Sequence, residues 1–352
     1  MTDQPLPSPV ALTGASGFIG SWITRELLAA GVTVHATVRD RTRQDKVGHL
    51  HELAASLPGK LELFDADLLK DGGFTEAFAG CRAVIHAASP FFVQGVRDAH
   101  HELIEPALEG TRRVLTAVDA TPSVERVVLT SSIAAIHGDV ADLAEAPRGV
   151  FDESLWNVTS SEHHQPYSYS KTLAEREAWK LASAQQRWSL VTINPGFVLG
   201  PALSSRGDAT STDLIAQMLD GRAKSGVPDL SLAVVDVRDV ALAHLRALTR
   251  SEGRHLVAAQ VASLPMLAAM LRESFGTRFP IPTSTVPKAL LYAVGPMMGF
   301  SWKFIRRNVG LELRMDNSKS RSALGLEYRP IAQALREQAE HLESAGLLGS
   351  RR

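Results

Sequence analysis

Short apolar runs alternate with segments of helical periodicity, and this alternation constrains the fold more than any other feature of the chain. The runs typical of buried strands are residues 10–12, 32–38, 61–64, 83–87, 126–130 and 189–193. The segments with helical spacing are residues 20–30, 73–78, 102–120 and 169–183. Strands that alternate with helices predict an α/β fold, in which helices cover both faces of a doubly wound, mostly parallel sheet. Such sheets bind ligands at the carboxyl ends of their strands.

The composition limits the partners that such a chain can have. Of its 352 residues, 45% are apolar, so the chain can bury a core without disulfides or a metal. Lys and Arg number 37 against 38 Asp and Glu, which leaves no basic excess for binding a nucleic acid. The one cysteine, Cys81, cannot form an internal disulfide or a Cys-rich metal site. We therefore predict no nucleic-acid partner and no metal.

Two segments of the sequence indicate whether the protein is secreted or crosses a membrane. The N-terminal sequence MTDQPLPSP has no basic stretch followed by an apolar run, so it predicts no secretory signal. Residues 289–302 are apolar but contain Gly295, Pro296 and Gly299, and they fall short of the roughly 20 apolar residues that a membrane span needs. We predict a buried helix or a lid there, no membrane partner, and a cytoplasmic location.

The turn after the first predicted strand is rich in glycine. The sequence TGASGFIG spans residues 13–20, between a predicted strand and a predicted helix. Glycine permits positive φ and lets the backbone approach a pyrophosphate, while the free N–H groups at a helix start attract phosphates. The alternative is a plain strand–helix turn, but the flanking strand and helix are the context that the motif requires. The turn predicts a dinucleotide site formed by Gly14, Ser16, Gly17, Phe18, Ile19 and Gly20.

The ends of the next two predicted strands bear on which dinucleotide binds. Arg39 follows the second strand, where an arginine accommodates the 2′-phosphate of NADP and an acidic residue would bind the ribose of NAD. Lys46 adds positive charge nearby, and the alternative for this segment is a solvated charged loop. Asp67 and Leu68 follow the third strand, where a carboxylate can accept from the adenine amino group. The alternative for Asp67 is an aspartate that caps the next turn.

A tyrosine and a lysine four residues apart, Tyr167 and Lys171, lie on one face if this segment is helical. A phenol has an unperturbed pKa near ~10, and a nearby ammonium lowers it toward values that suit proton transfer. Tyr169 would face elsewhere. Ser132 ends the fifth predicted strand, where its hydroxyl can polarise a substrate carbonyl. The alternatives are an ordinary amphipathic helix and strand-end capping, but the three signals occur in the order that a catalytic site requires.

These motifs together resemble those of the extended short-chain dehydrogenase/reductase superfamily. More narrowly, they resemble its branch of dihydroflavonol 4-reductases, cinnamoyl-CoA reductases and microbial aldehyde (methylglyoxal) reductases. The matching segments, which cover nearly the whole chain, are TGASGFIG, ATVRD, DADL, HAASP, VVLTSS, YSYSKTLAE, NPGFVLGP, VVDVRDVALAH and DNSKSRSALG. The resemblance implies a Rossmann-type fold with a smaller, mainly helical C-terminal region that binds the substrate.

We expect the chain to divide into an NADP-binding core and a substrate-binding cap. The expected bounds are residues 8–200 for the core, which is joined again by about 231–250, and residues 201–230 and 251–345 for the cap.

The resemblance also implies roles for single residues. Ser132, Tyr167 and Lys171 match the catalytic triad. The cofactor contacts that it implies are Arg39 and Lys46 at the 2′-phosphate, Asp67 and Leu68 at the adenine, Ala87, Ala88 and Ser89 at the nicotinamide ribose, Pro195 and Val198 at the nicotinamide, and Ser211 in a later loop. His137 stands five residues beyond the catalytic serine, where plant flavonoid enzymes carry an asparagine that reads the substrate. We therefore assign His137 to the substrate pocket and do not expect a flavonoid substrate.

The resulting hypothesis is an NADPH-dependent reductase that reversibly converts an aldehyde or ketone, hydrophobic or aromatic in character, to the alcohol. Its partner would be this small-molecule carbonyl or alcohol, and the protein would be a monomer or a homodimer. One alternative is a sugar epimerase, a dehydratase or a 3β-hydroxysteroid dehydrogenase of the same superfamily, although Arg39 argues against the sugar enzymes, which retain NAD. A second alternative is a non-catalytic NADPH sensor, a class that tends to lose the tyrosine or the lysine.

Overall fold

A computed structural model describes residues 5–89, 98–204 and 210–349, so residues 205–209 of the predicted cap lie outside the described ranges. The strands are β1 (Val10–Thr13), β2 (Thr33–Val38), β3 (Lys60–Asp65), β4 (Ala83–His86), β5 (Arg126–Thr130), β6 (Ser189–Pro195), β7 (Phe197–Leu199), β8 (Val227–Pro228), β9 (Ser231–Asp236), β10 (Gly253–Val257), β11 (Gln260–Ser263) and β12 (Thr285–Val286). The α-helices are α1 (Phe18–Ala29), α2 (Gln44–Ser56), α3 (Phe74–Phe78), α4 (Glu105–Asp119), α5 (Pro166–Ser183), α6 (Thr210–Asp220), α7 (Val237–Ala247), α8 (Leu264–Phe275), α9 (Lys288–Val294), α10 (Trp302–Asn308), α11 (Ser318–Ala323) and α12 (Ile331–Ser344).

The main sheet is parallel throughout and is wound in two directions from β1. Its strand order among the described residues is β10-β6-β5-β4-β1-β2-β3. The chain runs outward from β1 to β3, then returns to β4 on the other side of β1 and continues to the opposite edge. In sheets of this kind a ligand crevice forms at the carboxyl ends of the strands where the order reverses, here between β1 and β4. The prediction of a doubly wound, Rossmann-type α/β fold is confirmed.

Apolar helix faces cover both sides of this sheet. β1 and β4 are buried at every position, as expected for central strands that helices cover on both faces. Ile23 and Leu27 of α1 pack with Val240 of α7 in one cluster. Val114 of α4 packs with Ala178 of α5 in another. The burial of this apolar surface, which contributes about 25 cal/mol per Å², holds the helices on the sheet.

The structure contains one helix that the sequence analysis missed, and it begins another helix a few residues earlier than predicted. α2 was not predicted, and it places Lys46 on a helix rather than in a solvated loop. Only Val47 and Leu50 of α2 are buried, so a charged first turn and a narrow apolar stripe concealed the helical periodicity. α5 begins at Pro166 rather than at residue 169, because proline is well suited to the first turn of a helix.

One strand changes the predicted division into core and cap. β10 falls inside the range 251–345 that was assigned to the cap, yet it pairs in parallel with β6 and forms the edge of the main sheet. β9 instead joins β7 and β11 in a separate three-stranded sheet, and α7, which follows β9, packs on α1. Pairing of β10 covers the exposed edge of β6, which would otherwise leave unpaired backbone groups. The division stays a prediction, with β10 moved to the core.

The C-terminal part contains a second core and a small helical unit. Side chains of α6, α8 and α12 form the second core. The α9–α10 unit, residues 288–309, is built around Leu291, Ile305 and Val309. Of the two structures predicted for residues 289–302, the single buried helix is wrong, because a break near Gly299 divides this stretch and leaves large apolar side chains exposed, namely Leu290, Tyr292, Met297 and Trp302. The other, a lid, stays a prediction. No helix in the described ranges is long and apolar enough to cross a membrane.

Candidate active site and cofactor site

The turn between β1 and α1 is packed so tightly that two of its positions admit only glycine. Gly14 has a φ of 73°, and a Cβ there would lie 2.7 Å from the Cα of Ala88. A Cβ on Gly20 would lie 2.1 Å from the carbonyl oxygen of Gly14. The N–H of Gly17 donates to that same carbonyl over 3.0 Å, which closes the turn. The backbone of the turn therefore lies directly against the end of β4.

The start of α1 offers backbone donors at this point. Gly17 is the N-cap and is exposed, while Ser16, Phe18 and Ile19 around it are partly buried. The first turn of α1 carries no acidic residue, so nothing offsets the positive end of the helix dipole. This arrangement suits an anionic group such as a pyrophosphate.

The residues after β4 share this edge of the sheet. Ala87, Ala88 and Ser89 follow β4 directly, and the N–H of Ala88 donates to the Thr13 hydroxyl over 3.1 Å. The same hydroxyl is 2.7 Å from Nδ1 of the buried His86. Burial lowers the pKa of His86 to about 3, so its ring is neutral at ordinary pH. These hydrogen bonds join the ends of β1 and β4.

The charged segment after β2 contains both paired and unpaired cations. Arg43 forms two hydrogen bonds of 2.8 Å with Asp45, and the Lys46 ammonium lies 4.0 Å from the same carboxylate. Arg39 is exposed, and within the described part of the chain it has no hydrogen bond or ion pair. Arg39 is therefore the cation of this segment that is free to bind a phosphate, and its contact with the 2′-phosphate stays a prediction.

The two residues predicted at the adenine have contacts of their own. Asp67 accepts a hydrogen bond of 3.0 Å from the N–H of Leu69, which is the turn-capping role considered as the alternative. Leu68 lies against α4, where a Cβ on Gly110 would be 3.3 Å from the Leu68 Cβ. Both residues follow β3 on the carboxyl edge of the sheet, and their adenine roles stay predictions.

Tyr167 and Ser132 meet where β5 ends and α5 begins. The Tyr167 hydroxyl is hydrogen-bonded with Ser132. The Ser132 hydroxyl also accepts from the N–H of Ala134 over 3.1 Å, which fixes its position at the start of a short 3-10 turn. The adjacent Ser131 donates instead to Glu175 over 2.5 Å. Of the two serines, Ser132 is thus the one placed beside the tyrosine.

Lys171 lies one helical turn after Tyr167, as the spacing predicts. Its ammonium donates to the Ser89 hydroxyl over 3.0 Å and lies 6.0 Å from the centre of the Tyr167 ring. This hydrogen bond joins α5 to the end of β4. The structure therefore brings Ser132, Tyr167, Lys171 and Ser89 together at the carboxyl edge of the sheet, next to the glycine turn.

Burial shifts the pKa values of both ionisable groups. It raises the pKa of Tyr167 to about 12, and the hydrogen bond with Ser132 opposes this only in part. It lowers the pKa of Lys171 to about 8, against the opposing charge of Glu175. The net pKa of Tyr167 is thus raised, whereas the sequence analysis expected it to be lowered, because the cost of burying a phenolate dominates.

A buried carboxylate lies behind Lys171, one turn further along α5. Glu175 accepts hydrogen bonds from the Asn194 amide (2.7 Å), from Nε of Arg254 (2.6 Å) and from Ser131. The side chain of Glu175 is fully buried and that of Arg254 is 8% exposed. This ion pair ties α5 to β10, at the edge of the sheet, and sets the charge around Lys171.

The other predicted contact residues lie on β6, β7 and α6 and just after the short turn that follows Ser132. Pro195 ends β6 and is buried, Val198 lies in β7, and Ser211 is buried in the first turn of α6. The His137 ring stacks on Phe151 with 4.3 Å between ring centres. Burial lowers the pKa of His137 to about 4, and within the described ranges its buried Nδ1 has no hydrogen-bond partner. The roles of these residues stay predictions.

The sequence profile of the NAD dependent epimerase/dehydratase family matches residues 10–259. The chain belongs to the NAD dependent epimerase/dehydratase family. The resemblance to extended short-chain dehydrogenases/reductases is thereby confirmed, and the matched range covers the main sheet and the glycine turn.

Several curated relatives of this chain are reductases. The chain is 36% identical to cinnamoyl-CoA reductase CAD2 of Medicago truncatula, over 97% of this chain and 98% of that protein. It is 35% identical to the bifunctional dihydroflavonol 4-reductase/flavanone 4-reductase of Pyrus communis, over 78% of each. The crystal structure of Gre2 of Candida albicans in complex with NADPH superposes with a TM-score of 0.75 and 26% identity, over 96% of this chain and 98% of that chain. These relatives indicate an oxidoreductase.

The sequence analysis missed several buried polar residues that the structure shows around the candidate site. His164 is buried, and its Nε2 lies 3.0 Å from both carboxylate oxygens of Asp139. Glu175 and Arg254 were not singled out, since 79 residues separate them and neither forms a local pattern. Within the described ranges no group of three or more His, Cys, Asp and Glu side chains is arranged to hold a metal.

Proposed function

We propose that this protein reduces an aldehyde or ketone to the alcohol with NADPH, and that the reaction is reversible. The observation that carries the proposal is the placement of the Tyr167–Ser132 hydrogen bond and the Lys171 ammonium at the edge where the glycine turn opens. A phenol, a hydroxyl and a cation at one point are what a carbonyl oxygen needs as it gains a proton.

The residues around the glycine turn fit a dinucleotide. NADP(H) is the cofactor, as solved relatives such as Gre2 in complex with NADPH indicate. Glycine at positions 14 and 20 keeps the turn compact against the end of β4, since a Cβ at either position would clash with the backbone. The start of α1 would supply N–H groups for the pyrophosphate. The unpaired Arg39 guanidinium would hold the 2′-phosphate, with Lys46 near it. Ser89, which Lys171 already contacts, would lie at the ribose.

Ser132, Tyr167 and Lys171 each have a separate role in the proposed reduction of the substrate. Bound NADPH supplies the hydride. The Ser132 hydroxyl donates a hydrogen bond to the carbonyl oxygen and stabilises the charge that develops there. Tyr167 keeps its proton at neutral pH, since its pKa is about 12, and donates it to that oxygen. Lys171 places a positive charge near the phenol, which stabilises the phenolate after the proton has left.

The substrate is proposed to be hydrophobic or aromatic. The pocket residue proposed from its position, His137, is uncharged and stacked on an aromatic ring. A neutral imidazole and aromatic surfaces favour an apolar carbonyl compound over a strongly anionic one.

Two other functions use the same fold. A sugar epimerase or dehydratase, or a 3β-hydroxysteroid dehydrogenase, would place a different substrate on the same tyrosine, but the unpaired Arg39 disfavours the NAD-retaining sugar enzymes. A non-catalytic NADPH sensor would not require Tyr167 beside Ser132 and Lys171, and the hydrogen bond between Tyr167 and Ser132 is present.

The test is NADPH oxidation, followed by its absorbance, with cinnamaldehyde, isovaleraldehyde and methylglyoxal as probes and NADH as the control cofactor. We expect turnover of at least one probe that is faster with NADPH than with NADH. Tight NADPH binding without turnover of any probe would overturn the reductase proposal in favour of a sensor. Tightly held NAD in the purified protein would instead favour the epimerase alternative.

Replacement of Arg39 by alanine is expected to weaken NADPH binding and to leave NADH binding nearly unchanged. Loss of hydrogen bonds to a charged phosphate costs about 1.5–3 kcal/mol, which corresponds to roughly a tenfold to hundredfold rise in the KM for NADPH. The measurement is the ratio of kcat/KM for NADPH and NADH. Arg41→Ala is the matched control, because Arg41 is exposed and already paired with Asp65. An equal loss in both variants would contradict the role of Arg39.

The rate of carbonyl reduction is expected to fall as the pH rises above about 8, where Lys171 loses its charge. Burial lowers the pKa of Lys171 from the ordinary lysine value, so the ammonium is present below this pH and lost above it. The measurement is the pH profile of kcat for reduction. Lys171→Arg, which stays charged, should lose this fall even if its activity is low. A wild-type profile that stays level well above this pH would contradict the prediction.

A further inference from the structure

Asp139 is a fully buried carboxylate in the segment that follows the Ser132 turn, and side chains from distant parts of the chain donate to it. Nε2 of His164 lies 3.0 Å from each carboxylate oxygen, and the Gln165 amide donates over 2.6 Å. From α10, Nε of Arg307 donates over 2.6 Å and the Asn308 amide over 2.7 Å. One carboxylate thus joins α10 to the residues that immediately precede α5.

Gln165 has a backbone conformation that needs support. It is the residue before Pro166 and has φ 55° and ψ 57°, the left-handed region that residues other than glycine rarely adopt. A following proline also disfavours helical backbone values. The Gln165 amide is held at two points, since it donates to the Gly138 carbonyl over 2.8 Å as well as to Asp139. Such strain persists only where the surroundings over-determine the conformation.

The position of Tyr167 depends on this residue. Gln165 is the N-cap of α5, and its carbonyl accepts from the N–H of Tyr169 over 3.0 Å, which forms the first turn of the helix around Tyr167. A change of the Gln165 backbone would rotate that turn and move the phenol relative to Ser132. The hydrogen bond between Tyr167 and Ser132 is therefore sensitive to what holds Gln165.

Further contacts of α10 hold the segment that contains Asp139. Arg307 reaches a second carboxylate, Asp142, over 2.5 Å, and Asp142 accepts a hydrogen bond of 2.8 Å from the N–H of Asp139. Asn308 returns a hydrogen bond of 3.0 Å by accepting from the N–H of Val140. Polar groups thus attach α10 to residues 139–142. Two of these groups, Arg307 and Asn308, donate hydrogen bonds to the Asp139 carboxylate that holds Gln165.

We propose that Asp139 is a positioning residue for the proton donor: by holding Gln165 in its left-handed conformation, and by being held by Arg307 and Asn308, it sets the orientation of Tyr167 toward Ser132. The inference rests on the proposed function, in which Tyr167 donates the proton. It predicts that disturbing Asp139 slows proton transfer and leaves the cofactor site intact, because the glycine turn and Arg39 belong to other elements.

The test compares Asp139→Asn and Gln165→Ala with a matched control, Asp239→Asn. Asparagine keeps the shape of Asp139 but places an amide among hydrogen-bond donors. Gln165→Ala removes the two hydrogen bonds that the Gln165 amide donates and the one of 3.5 Å that it accepts from the Ser168 hydroxyl. Asp239 is also a buried carboxylate paired with an arginine, Arg329, so its loss measures the general effect of such a change. NADPH affinity is measured by quenching of tryptophan fluorescence. Turnover is measured with the best of the three carbonyl probes, in ordinary and in heavy water.

We expect Asp139→Asn and Gln165→Ala to lower kcat by roughly tenfold to a hundredfold, as for a misplacement of about 1 Å, with NADPH affinity unchanged. The solvent isotope effect on kcat should rise in both, because proton transfer becomes slower. Asp239→Asn should change neither quantity. If Asp139→Asn does not fold, Gln165→Ala decides the matter, since it removes no buried charge.

The outcomes separate this inference from the proposed function. If Tyr167→Phe is inactive while Asp139→Asn and Gln165→Ala behave like Asp239→Asn, the positioning role is overturned and the proposed function stands. If Tyr167→Phe retains full activity, the proposed function fails first. A lower kcat in the two variants without a change in the isotope effect would also overturn the positioning role, since it would reflect a general loss of structure.

Discussion

Tyr167→Phe is expected to lower kcat for carbonyl reduction by about 10²–10⁴, the usual contribution of a positioned proton donor. Phenylalanine keeps the ring and its packing but removes the hydroxyl that bonds with Ser132. NADPH affinity should stay close to that of the unaltered protein, because the glycine turn and Arg39 are untouched. The measurements are kcat with the best carbonyl probe and the dissociation constant for NADPH.

The matched control for this variant is Tyr169→Phe. Tyr169 lies two residues further along the same helix, so its substitution removes an identical hydroxyl from a different face. We expect Tyr169→Phe to keep nearly full activity. Equal losses in the two variants would mean that the helix as a whole, rather than the Tyr167 hydroxyl, is what the reaction needs.

Glu175→Ala is expected to lower the free energy of unfolding by about 3–5 kcal/mol, as when one partner of a buried ion pair is removed. The variant leaves the Arg254 guanidinium buried without its carboxylate. A second cation, Lys171, lies on α5 one helical turn before position 175. It also removes the acceptor for Ser131 and Asn194. The measurement is urea denaturation at constant pH, with the slope of the transition compared between variants.

Two controls show whether the loss arises from an uncompensated buried charge. Glu125→Ala breaks the Arg82–Glu125 pair, whose side chains are 60% and 59% exposed, and should cost about 0–1 kcal/mol. The double variant Glu175→Leu/Arg254→Met removes both charges and should recover a large part of the stability that Glu175→Ala loses. A Glu175→Ala protein as stable as Glu125→Ala would contradict the prediction.

The parts of the fold that could be predicted from the sequence depend on local patterns. The β1–α1–β2 unit was predicted because apolar periodicity and glycine spacing act within a few residues of each other. α2 was missed because its apolar stripe consists of Val47 and Leu50 alone among the buried residues. β10 was misassigned because nothing in a short strand indicates which sheet edge it will join.

The same distinction applies to the candidate site. The four-residue spacing of Tyr167 and Lys171 and the position of Ser132 at a strand end are local features, and the structure brings these residues together. The pKa shifts could not be predicted from local features, because they arise from burial in the folded protein. Burial raises the pKa of Tyr167 to about 12, whereas a nearby lysine alone would have lowered it.

By itself, the sequence determined the family, the Rossmann-type fold and the NADP(H) cofactor, since each is encoded in short motifs whose backbone geometry is self-contained. Only the tertiary structure decided which buried charges meet. Glu175 and Arg254, and likewise Asp139 and Arg307, pair across 79 and 168 residues of chain. The physical reason is that a buried charge is stable only beside a partner. That partner can come from any segment that folding brings within a few ångströms.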